Sequence, residues 1–129
     1  MTSVYEKLVK HILKEIFPKN LFRKRRDLNI INPETHRQLE LDFYNQKINL
    51  AIEYNGIQHY KYMPNYHKSV CIFQDQLRRD LYKRIQCQNR NIRLLIIPYT
   101  CNTKKSIRKH IVDYVFTQND LLNLSSLKN

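Results

Sequence analysis

The chain has 129 residues, 42% of them hydrophobic, which suffices for one folded domain and leaves no room for two domains and a linker. Its 23 Lys and Arg residues outnumber its 11 Asp and Glu residues, for a net charge of +12. This balance favours a polyanionic partner and argues against an acidic, disordered segment. No run approaches the ~20 apolar residues of a membrane span, and the N-terminal residues carry charges where a signal peptide needs an apolar run. We therefore expect an intracellular protein that does not enter a membrane.

The three cysteines, Cys71, Cys87 and Cys101, are odd in number and widely spaced. A disulfide framework needs pairs and an oxidising compartment, so none is expected. A zinc site with His67 or His110 as the fourth ligand is the alternative, but the chain has no CxxC or HxxxH pair. We therefore predict reduced thiols and no zinc.

An amphipathic helix is predicted over residues 3–17, where apolar side chains recur at helical spacing along one broad arc. Ser3 followed by Glu6 fits a capping box at the start of this helix, and Pro18 ends it. The basic run after it, residues 19–26, predicts no particular element.

A β-hairpin is predicted after a turn at residues 32–35. Apolar and polar side chains alternate with period two in residues 39–44 and again in residues 48–55. A short polar break at residues 45–47 separates the two runs, as in a hairpin.

A second amphipathic helix is predicted from four apolar residues, Phe73, Leu77, Leu81 and Ile85, that recur every four positions. The helix should end near Asn89. Its apolar stripe is expected to pack on the core.

The rest of the chain adds a strand and a helix. Residues 92–98 are mostly apolar, which is typical of a buried strand, and should lie beside residues 48–54. Residues 104–118 predict a basic helix, followed by a weak helical tail. The order α-β-β-α-β-α predicts one α/β (α+β) domain over residues 1–129, with a central mixed sheet flanked by helices.

Two carboxylates in the hairpin are the first candidates for chemistry. Any register that buries both apolar sets places Asp42 and Glu53 on one face of the sheet, because a slip by one residue would invert a whole strand. Their Cβ atoms should then lie roughly 5–8 Å apart. Such a pair suits Mg²⁺, which carboxylates hold together with water and phosphate oxygens. The alternative is two solvated acids paired with Lys or Arg.

A longer pattern surrounds these acids. The second hairpin strand runs into the only glycine, Gly56, which is expected to turn the backbone tightly. The stretch LELDFYNQKINLAIEYNGIQHY resembles the core of PD-(D/E)xK nucleases, in the branch akin to very-short-patch-repair and restriction-endonuclease-like proteins of phages and large DNA viruses. Asp80-Leu-Tyr-Lys83, then Cys87, then the strand that ends at Tyr99 match that branch in order. The resemblance covers residues 40–99.

The resemblance implies a small restriction-endonuclease-like fold, a phage or viral origin, and a location wherever the replicating DNA lies. It implies that Asp42 and Glu53 bind Mg²⁺, for which Mn²⁺ can substitute, with the Tyr54 carbonyl as a third ligand. It also places Glu6 near the metal, in contact through water. The alternative role for Glu6 is the capping box with Ser3.

The residues after the strand are implied to act on the substrate. Gln58 and His59 would orient a phosphate or a water, and His59 would serve as a general acid or base. Asn55 departs from the pattern, because the branch often has Asp there and the wider superfamily has Lys. Gln58, Lys61 or Lys83 would then supply the missing role. Against this, Lys83 faces away from the apolar stripe of its helix and is expected at the surface.

Basic residues gather in clusters suited to phosphate contacts, which give salt-sensitive affinity with little sequence information. Those predicted to bind nucleic acid are Arg23, Lys24, Arg25, Arg26, Lys61, Arg78, Arg79 and Lys83. Basic side chains within residues 104–109 add to this footprint. Tyr60, Tyr62 and Tyr66 could stack on unpaired bases, or they are surface residues of a loop.

These observations predict a Mg²⁺-dependent endonuclease that hydrolyses DNA phosphodiester bonds. Two alternatives stay open. In the first, the neutral Asn55 reflects a protein that has lost turnover and only binds DNA. In the second, the substrate or ligand is RNA. Because the chain has no room for a separate reader domain, specificity is expected to come from a homodimer or a partner protein.

Overall fold

The computed structural model describes residues 3–116, which form a mixed α+β domain of four helices and four strands. In chain order the elements are α1 Val4–Ile16, β1 Arg23–Arg25, β2 Leu41–Asn45, β3 Leu50–Asn55, a 3-10 turn Ile57–His59, α2 Pro64–His67, α3 Val70–Asn89, β4 Arg93–Pro98 and α4 Lys104–Val115. The predicted helical tail lies outside the described residues. No helix within them combines the length and hydropathy of a membrane span.

The four strands form one mixed sheet in the order β1-β2-β3-β4. The predicted hairpin is confirmed, since β2 and β3 pair antiparallel. The predicted neighbour is also confirmed, because β4 runs parallel to β3 along its whole length. Strand β1, which pairs with β2, lies in the basic run for which no element was predicted. The positive φ of Asn49, 50°, closes the hairpin turn.

Helices α1 and α4 cover one face of the sheet. The side chains of Ile52 and Ile97 pack there against Ile12 from α1 and Ile107 and Ile111 from α4, and all five are buried. Full burial of such a side chain contributes about 1.5–3 kcal/mol to stability. Ser3 caps the start of α1, since the Glu6 backbone N–H donates to Ser3 Oγ at 3.0 Å, which is one of the two hydrogen bonds of the predicted capping box.

A smaller cluster lies on the other face, beneath the C-terminal half of α3, and includes Leu41, Ala51 and Cys87. Leu41 and Phe43 were expected to face one core, but Phe43 belongs to the cluster beneath α1 and α4. The pairing of β1 with β2 shifts register along this strand. Such an irregularity breaks strict alternation, which explains the difference.

The predicted packing of α3 is wrong. Leu77, Leu81 and Ile85, expected in the core, are 41–44% exposed. The buried residues of this helix are Gln76 and Cys87. The helix therefore turns its polar side to the sheet, where the ionised groups described below are its partners.

The three cysteines all lie within the described residues and none forms a disulfide. Cys71 is exposed, Cys87 is buried and Cys101 is half-buried. They occupy different elements of the fold. The Sγ atom of Cys101 lies 3.6 Å from His110 Nδ1.

Candidate active site

The hairpin brings Asp42 and Glu53 together. Phe43 pairs with Ile52 across β2 and β3, and the residues next to them in the chain are Asp42 and Glu53. The Asp42 backbone N–H donates to Glu53 Oε1 at 3.2 Å. Glu53 is only 5% exposed, whereas Asp42 is half-buried. The two residues are therefore neighbours in the hairpin, and the placement of both carboxylates on one face of the sheet stays a prediction.

Lys83 completes this cluster from α3. Its Nζ atom lies 3.2 Å from Glu53 Oε1 and 3.1 Å from Glu53 Oε2. Its side chain is 17% exposed, which corrects the expectation of a surface lysine. The reason is the packing of α3, which presents its polar side rather than its apolar stripe to the sheet.

The pKa of each of the two carboxyl groups is raised above its ordinary value. Burial raises the pKa of Asp42 to about 7, and the nearby charge of Glu53 adds to the rise. Burial also raises the pKa of Glu53, against the opposing effect of the Lys83 ammonium. Lys83 contacts Glu53 alone, and a cation bound beside the two acids would favour the charged form of both.

The pair fits the ligand preference of Mg²⁺, which one or two carboxylates hold together with water and phosphate oxygens. Within residues 3–116, no three His, Cys, Asp or Glu side chains form a cluster that could hold a metal ion. Any further ligands would therefore be water, substrate or a backbone carbonyl such as that of Tyr54. The Tyr54 side chain serves the fold, since it stacks on Tyr5 and its hydroxyl donates to the Cys101 carbonyl at 3.0 Å.

Glu6 lies on the same side of the site as Asp42. Both residues line a cavity of about 330 Å³, together with Lys10, Arg23 and Lys24. The charge of Glu6 contributes to the raised pKa of Asp42. The hydrogen bond to Ser3 uses the Glu6 backbone N–H, so it does not engage the Glu6 carboxylate.

His59 follows β3 in the 3-10 turn and pairs with α3. Its Nδ1 atom lies 2.9 Å from Asp80 Oδ2, and the two side chains are about one-fifth exposed. Asp80 precedes Lys83 by one helical turn. Helix α3 therefore brings both residues of its D-x-x-K segment to the site, one to His59 and one to Glu53.

Asn55 is buried at the end of β3. It lines a cavity of about 600 Å³ together with His59, Asp80 and Arg84. Burial raises the pKa of Tyr60, and a hydrogen bond with the Asn55 side chain opposes this rise. The amide of Asn55 supplies no charge at this position. The cation of the cluster comes instead from Lys83, 30 residues after Glu53.

Within residues 3–116, the Gln58 side chain forms no hydrogen bond with the carboxyl group of Asp42 or of Glu53. Its side chain folds back over Gly56, where a Cβ atom would lie 2.5 Å from Gln58 Oε1. The backbone turns after Gly56 as predicted, where the 3-10 turn begins, but the φ of −68° is one that any residue adopts, so the turn itself does not require glycine. What the glycine provides is room for the neighbouring amide.

Four basic residues line a cavity of about 450 Å³ beside His59: Arg26, Arg79, Lys83 and a residue that the sequence did not single out, Arg37. Arg37 follows a turn and carries no pattern that could have marked it. Four acids, Glu34, Glu40, Asp75 and Asp80, line the same cavity, so the charges of its Arg and Lys side chains are balanced. We call this cavity the basic cleft after its Arg and Lys residues.

Several other basic residues predicted to contact phosphate are paired with acids in the structure. Lys24 and Arg26 both contact Glu40, at 3.5 and 2.9 Å. The remaining pairs are Arg25 with Asp27, Arg78 with Glu34 and Arg78 with Asp75. Lys61 is exposed beyond the 3-10 turn. Such exposed pairs contribute little to stability, so their basic members can exchange partners at low cost.

The chain is similar to viral proteins. It is 46% identical over 80 residues to "Uncharacterized protein 094L" of Frog virus 3 (isolate Goorha), covering 61% of this chain and 52% of the relative. It is 42% identical over 84 residues to "Uncharacterized protein 307L" of Invertebrate iridescent virus 6, covering 61% and 43%. It is 38% identical over 79 residues to "Uncharacterized protein 033L" of Invertebrate iridescent virus 3, covering 61% and 41%.

These relatives come from large DNA viruses, and the chain spans about half or less of the length of each. No family model matches the chain. No solved structure matches it either.

Proposed function

We propose that this protein is a Mg²⁺-dependent endonuclease that hydrolyses DNA phosphodiester bonds, with Asp42 and Glu53 as the metal ligands. The observation that carries the proposal is the position of the half-buried Asp42 beside the buried Glu53, whose Oε1 atom accepts a hydrogen bond from the Asp42 backbone N–H at 3.2 Å. Acids kept together in this way are characteristic of functional sites, although ion-pair networks in other proteins share the feature. The net charge of +12 favours a phosphate-bearing substrate.

A bound metal would stabilise the negative charge of the phosphorane-like transition state. It would also lower the pKa of a water molecule bound to it. The residues of the chain have separate tasks. Lys83 holds the Glu53 carboxylate in place at 3.1 Å. The guanidinium groups of Arg79, Arg37 and Arg26 bind neighbouring phosphates in the basic cleft.

His59 moves the proton in this scheme. The oxygen of a water attacks phosphorus, and its proton passes to His59. The bond from phosphorus to the leaving oxygen breaks with its electron pair on that oxygen, which takes a proton from solvent. Asp80 accepts the hydrogen bond of His59 Nδ1 and so orients the ring.

The test is cleavage of supercoiled plasmid at low salt with Mg²⁺, Mn²⁺ or EDTA. Asp42→Asn keeps the size of the side chain and removes its charge. Asp113→Asn is the matched control, because Asp113 is exposed and pairs only with Lys109 among the described residues. Cutting by wild type and D113N, lost in EDTA and in D42N, supports the proposal. Cutting by D42N at the wild-type rate contradicts it.

A second candidate is a DNA-binding protein without turnover. The observation that favours it is the neutral, buried Asn55 at the end of β3. In that case no metal yields cutting, and wild type and D42N bind DNA equally and with the same salt dependence.

A further inference from the structure

A groove runs along the outer edge of the sheet, between α3 and α4. Strand β4 is the last strand of the sheet, so among residues 3–116 it is paired with β3 alone. Two cavities, of about 630 and 600 Å³, are lined by residues of β4, α3 and α4, and both include Arg84 and Ile96. Because α3 and α4 cover opposite faces of the sheet, cavities lined by both helices lie beyond its edge. We call the two cavities together the β4 groove.

The larger cavity of the β4 groove is positively charged. Arg84 and Arg93 line it, and none of its other lining residues within the described part of the chain is acidic. Arg93 donates to the Ile48 carbonyl at 3.1 Å, a contact that leaves its charge uncompensated. In the smaller cavity the acid among the described residues is Asp80, whose carboxylate already contacts His59 at 2.9 Å. The groove therefore favours an anionic ligand, whereas four acids balance the basic cleft.

Aromatic and apolar side chains accompany these arginines. Tyr60 lines the smaller cavity and is 45% exposed, and its ring centroid lies 5.6 Å from that of Tyr99. Leu77, from the exposed stripe of α3, lines the same cavity. Tyr114 lines the larger one. Proteins bind single-stranded nucleic acid through this combination, in which basic side chains contact the phosphates and aromatic rings stack on unpaired bases.

A duplex suits the β4 groove less well than a single strand does. The bases of a duplex are stacked on one another, so they cannot lie against a tyrosine ring, and only the phosphates remain for the arginines. The groove also leads to the candidate active site, because His59 and Asp80 line both its smaller cavity and the basic cleft. A strand in the groove would therefore pass beside His59.

We propose that the β4 groove binds a single-stranded segment of DNA beside the bond that is cut. Arg84 and Arg93 contact its phosphates, and Tyr60 stacks on one of its bases. The inference deepens the proposed function, on which the choice of DNA and the meaning for cleavage rest. It implies a substrate with unpaired nucleotides next to the scissile phosphate, as at a flap, a gap or a frayed end.

The experiment is fluorescence anisotropy of full-length protein in EDTA, with a labelled single strand of about 12 nucleotides, within the site sizes of single-strand binding proteins, and with the matching duplex. Arg84→Gln should weaken single-strand binding and reduce the slope of log K against log salt by about 0.7, the value for one phosphate contact. Lys14→Gln is the control. It removes the same charge from α1, beside Leu21 and Phe22 and near the opposite edge of the sheet, and should reduce the slope by less than half as much.

Substitutions of Tyr60 test the contact with a base. Tyr60→Ala should weaken single-strand binding about fivefold or more, the loss expected for one stacked base. Duplex binding should change less than about twofold, because a duplex offers no unpaired base to the ring. Tyr60→Phe keeps the ring and should bind the single strand within about twofold of wild type.

Four results overturn the inference. The first is an equal effect of Arg84→Gln and Lys14→Gln on the salt dependence. The second is a Tyr60→Ala protein in which single-strand and duplex binding change by the same factor. The third is binding of the matching RNA strand about tenfold tighter or more, which would assign the groove to RNA. The fourth is a dimer in analytical ultracentrifugation that Tyr60→Ala dissociates, which would assign the groove to a second copy of the chain.

These measurements separate the groove from the nuclease. Binding in EDTA needs no turnover, so a wild type that binds single strands as expected and never cuts plasmid refutes the nuclease and leaves the groove intact. A wild type that cuts plasmid, while Arg84→Gln and Tyr60→Ala bind the single strand like wild type, refutes the groove and leaves the nuclease intact.

Discussion

The ammonium nitrogen of Lys83 lies within 3.2 Å of both carboxylate oxygens of Glu53, although the two residues are 30 positions apart in the chain. Glu53 comes from the middle of the sheet and Lys83 from the helix that covers it. The contact links the fold to the candidate site, because α3 packs through this ion pair rather than through its apolar stripe. Its removal should therefore affect stability as well as activity.

Lys83→Met should destabilise the protein by about 3 kcal/mol, because a buried carboxylate that loses its partner is left without compensation. Urea unfolding at neutral pH measures the loss. Lys109→Met is the matched control. Its ion pair with Asp113 is exposed, so its change should stay within about 0.5 kcal/mol. Equal effects of the two variants would contradict the role assigned to Lys83.

The raised pKa of Asp42, about 7 in the folded state, predicts how stability depends on pH. An acid with a raised pKa binds its proton more tightly when folded, so its contribution is complete below about pH 4 and is lost as the pH rises toward 7. Without metal, the loss due to Asp42 should be on the order of 3 kcal/mol.

Thermal unfolding in EDTA between pH 4.5 and 7.5 tests this dependence. The melting temperature of Asp42→Asn should fall less over this window than that of wild type. Asp113→Asn should follow the wild type. Parallel curves for wild type and D42N would refute the assignment of this pKa to Asp42.

Mg²⁺ should stabilise the wild type at neutral pH. A ligand at 100 times its Kd adds about 2.7 kcal/mol to the free energy of unfolding when it binds only the folded state. Because D42N lacks one of the two carboxylates, its melting temperature should respond much less to Mg²⁺. A rise of equal size in both proteins would mean that the ion binds elsewhere.

Because the apolar stripe of α3 is exposed, we expect a polar substitution there to change stability little. The sequence alone predicts that the same substitution would disrupt the core. Leu81→Gln should cost less than about 1 kcal/mol, because Leu81 is 44% exposed. Ile52→Ala, in the fully buried core beneath α1 and α4, should cost about 2–5 kcal/mol. Urea unfolding of the two variants measures both values, and a larger loss for L81Q would show that the stripe is covered in solution.

Arg79→Ala should weaken DNA binding and reduce the slope of log K against log salt by about 1, because Arg79 lines the basic cleft. Lys109→Ala removes the same charge from α4, which covers the other face of the sheet, and should change the slope less. Fluorescence anisotropy with a labelled duplex over a salt series gives both slopes. A larger decrease of this slope in K109A than in R79A would indicate that the nucleic-acid-binding surface lies on α4.

Local patterns sufficed for the hairpin and for the proximity of its acids. The alternation of the two runs predicted their antiparallel pairing, and this pairing brings Asp42 near Glu53. The irregularity of β2 at Leu41 could not be predicted in the same way, because it arises from the pairing with β1. The N-terminal cap and the apolar arc of α1 could also be predicted from the sequence, because each depends on residues within a few positions of one another.

The tertiary structure decided which side of α3 meets the sheet. Its apolar stripe predicts one packing, but the buried Glu53 carboxylate and the His59 ring need polar partners, and Lys83, Asp80 and Gln76 supply them from the opposite side. Whether a helix packs by hydrophobic area or by satisfying buried polar groups depends on what faces it from distant segments. That information is absent from the spacing of the helix itself, which is why the sequence named Lys83 as one of three candidates for the missing charge and yet placed it at the surface.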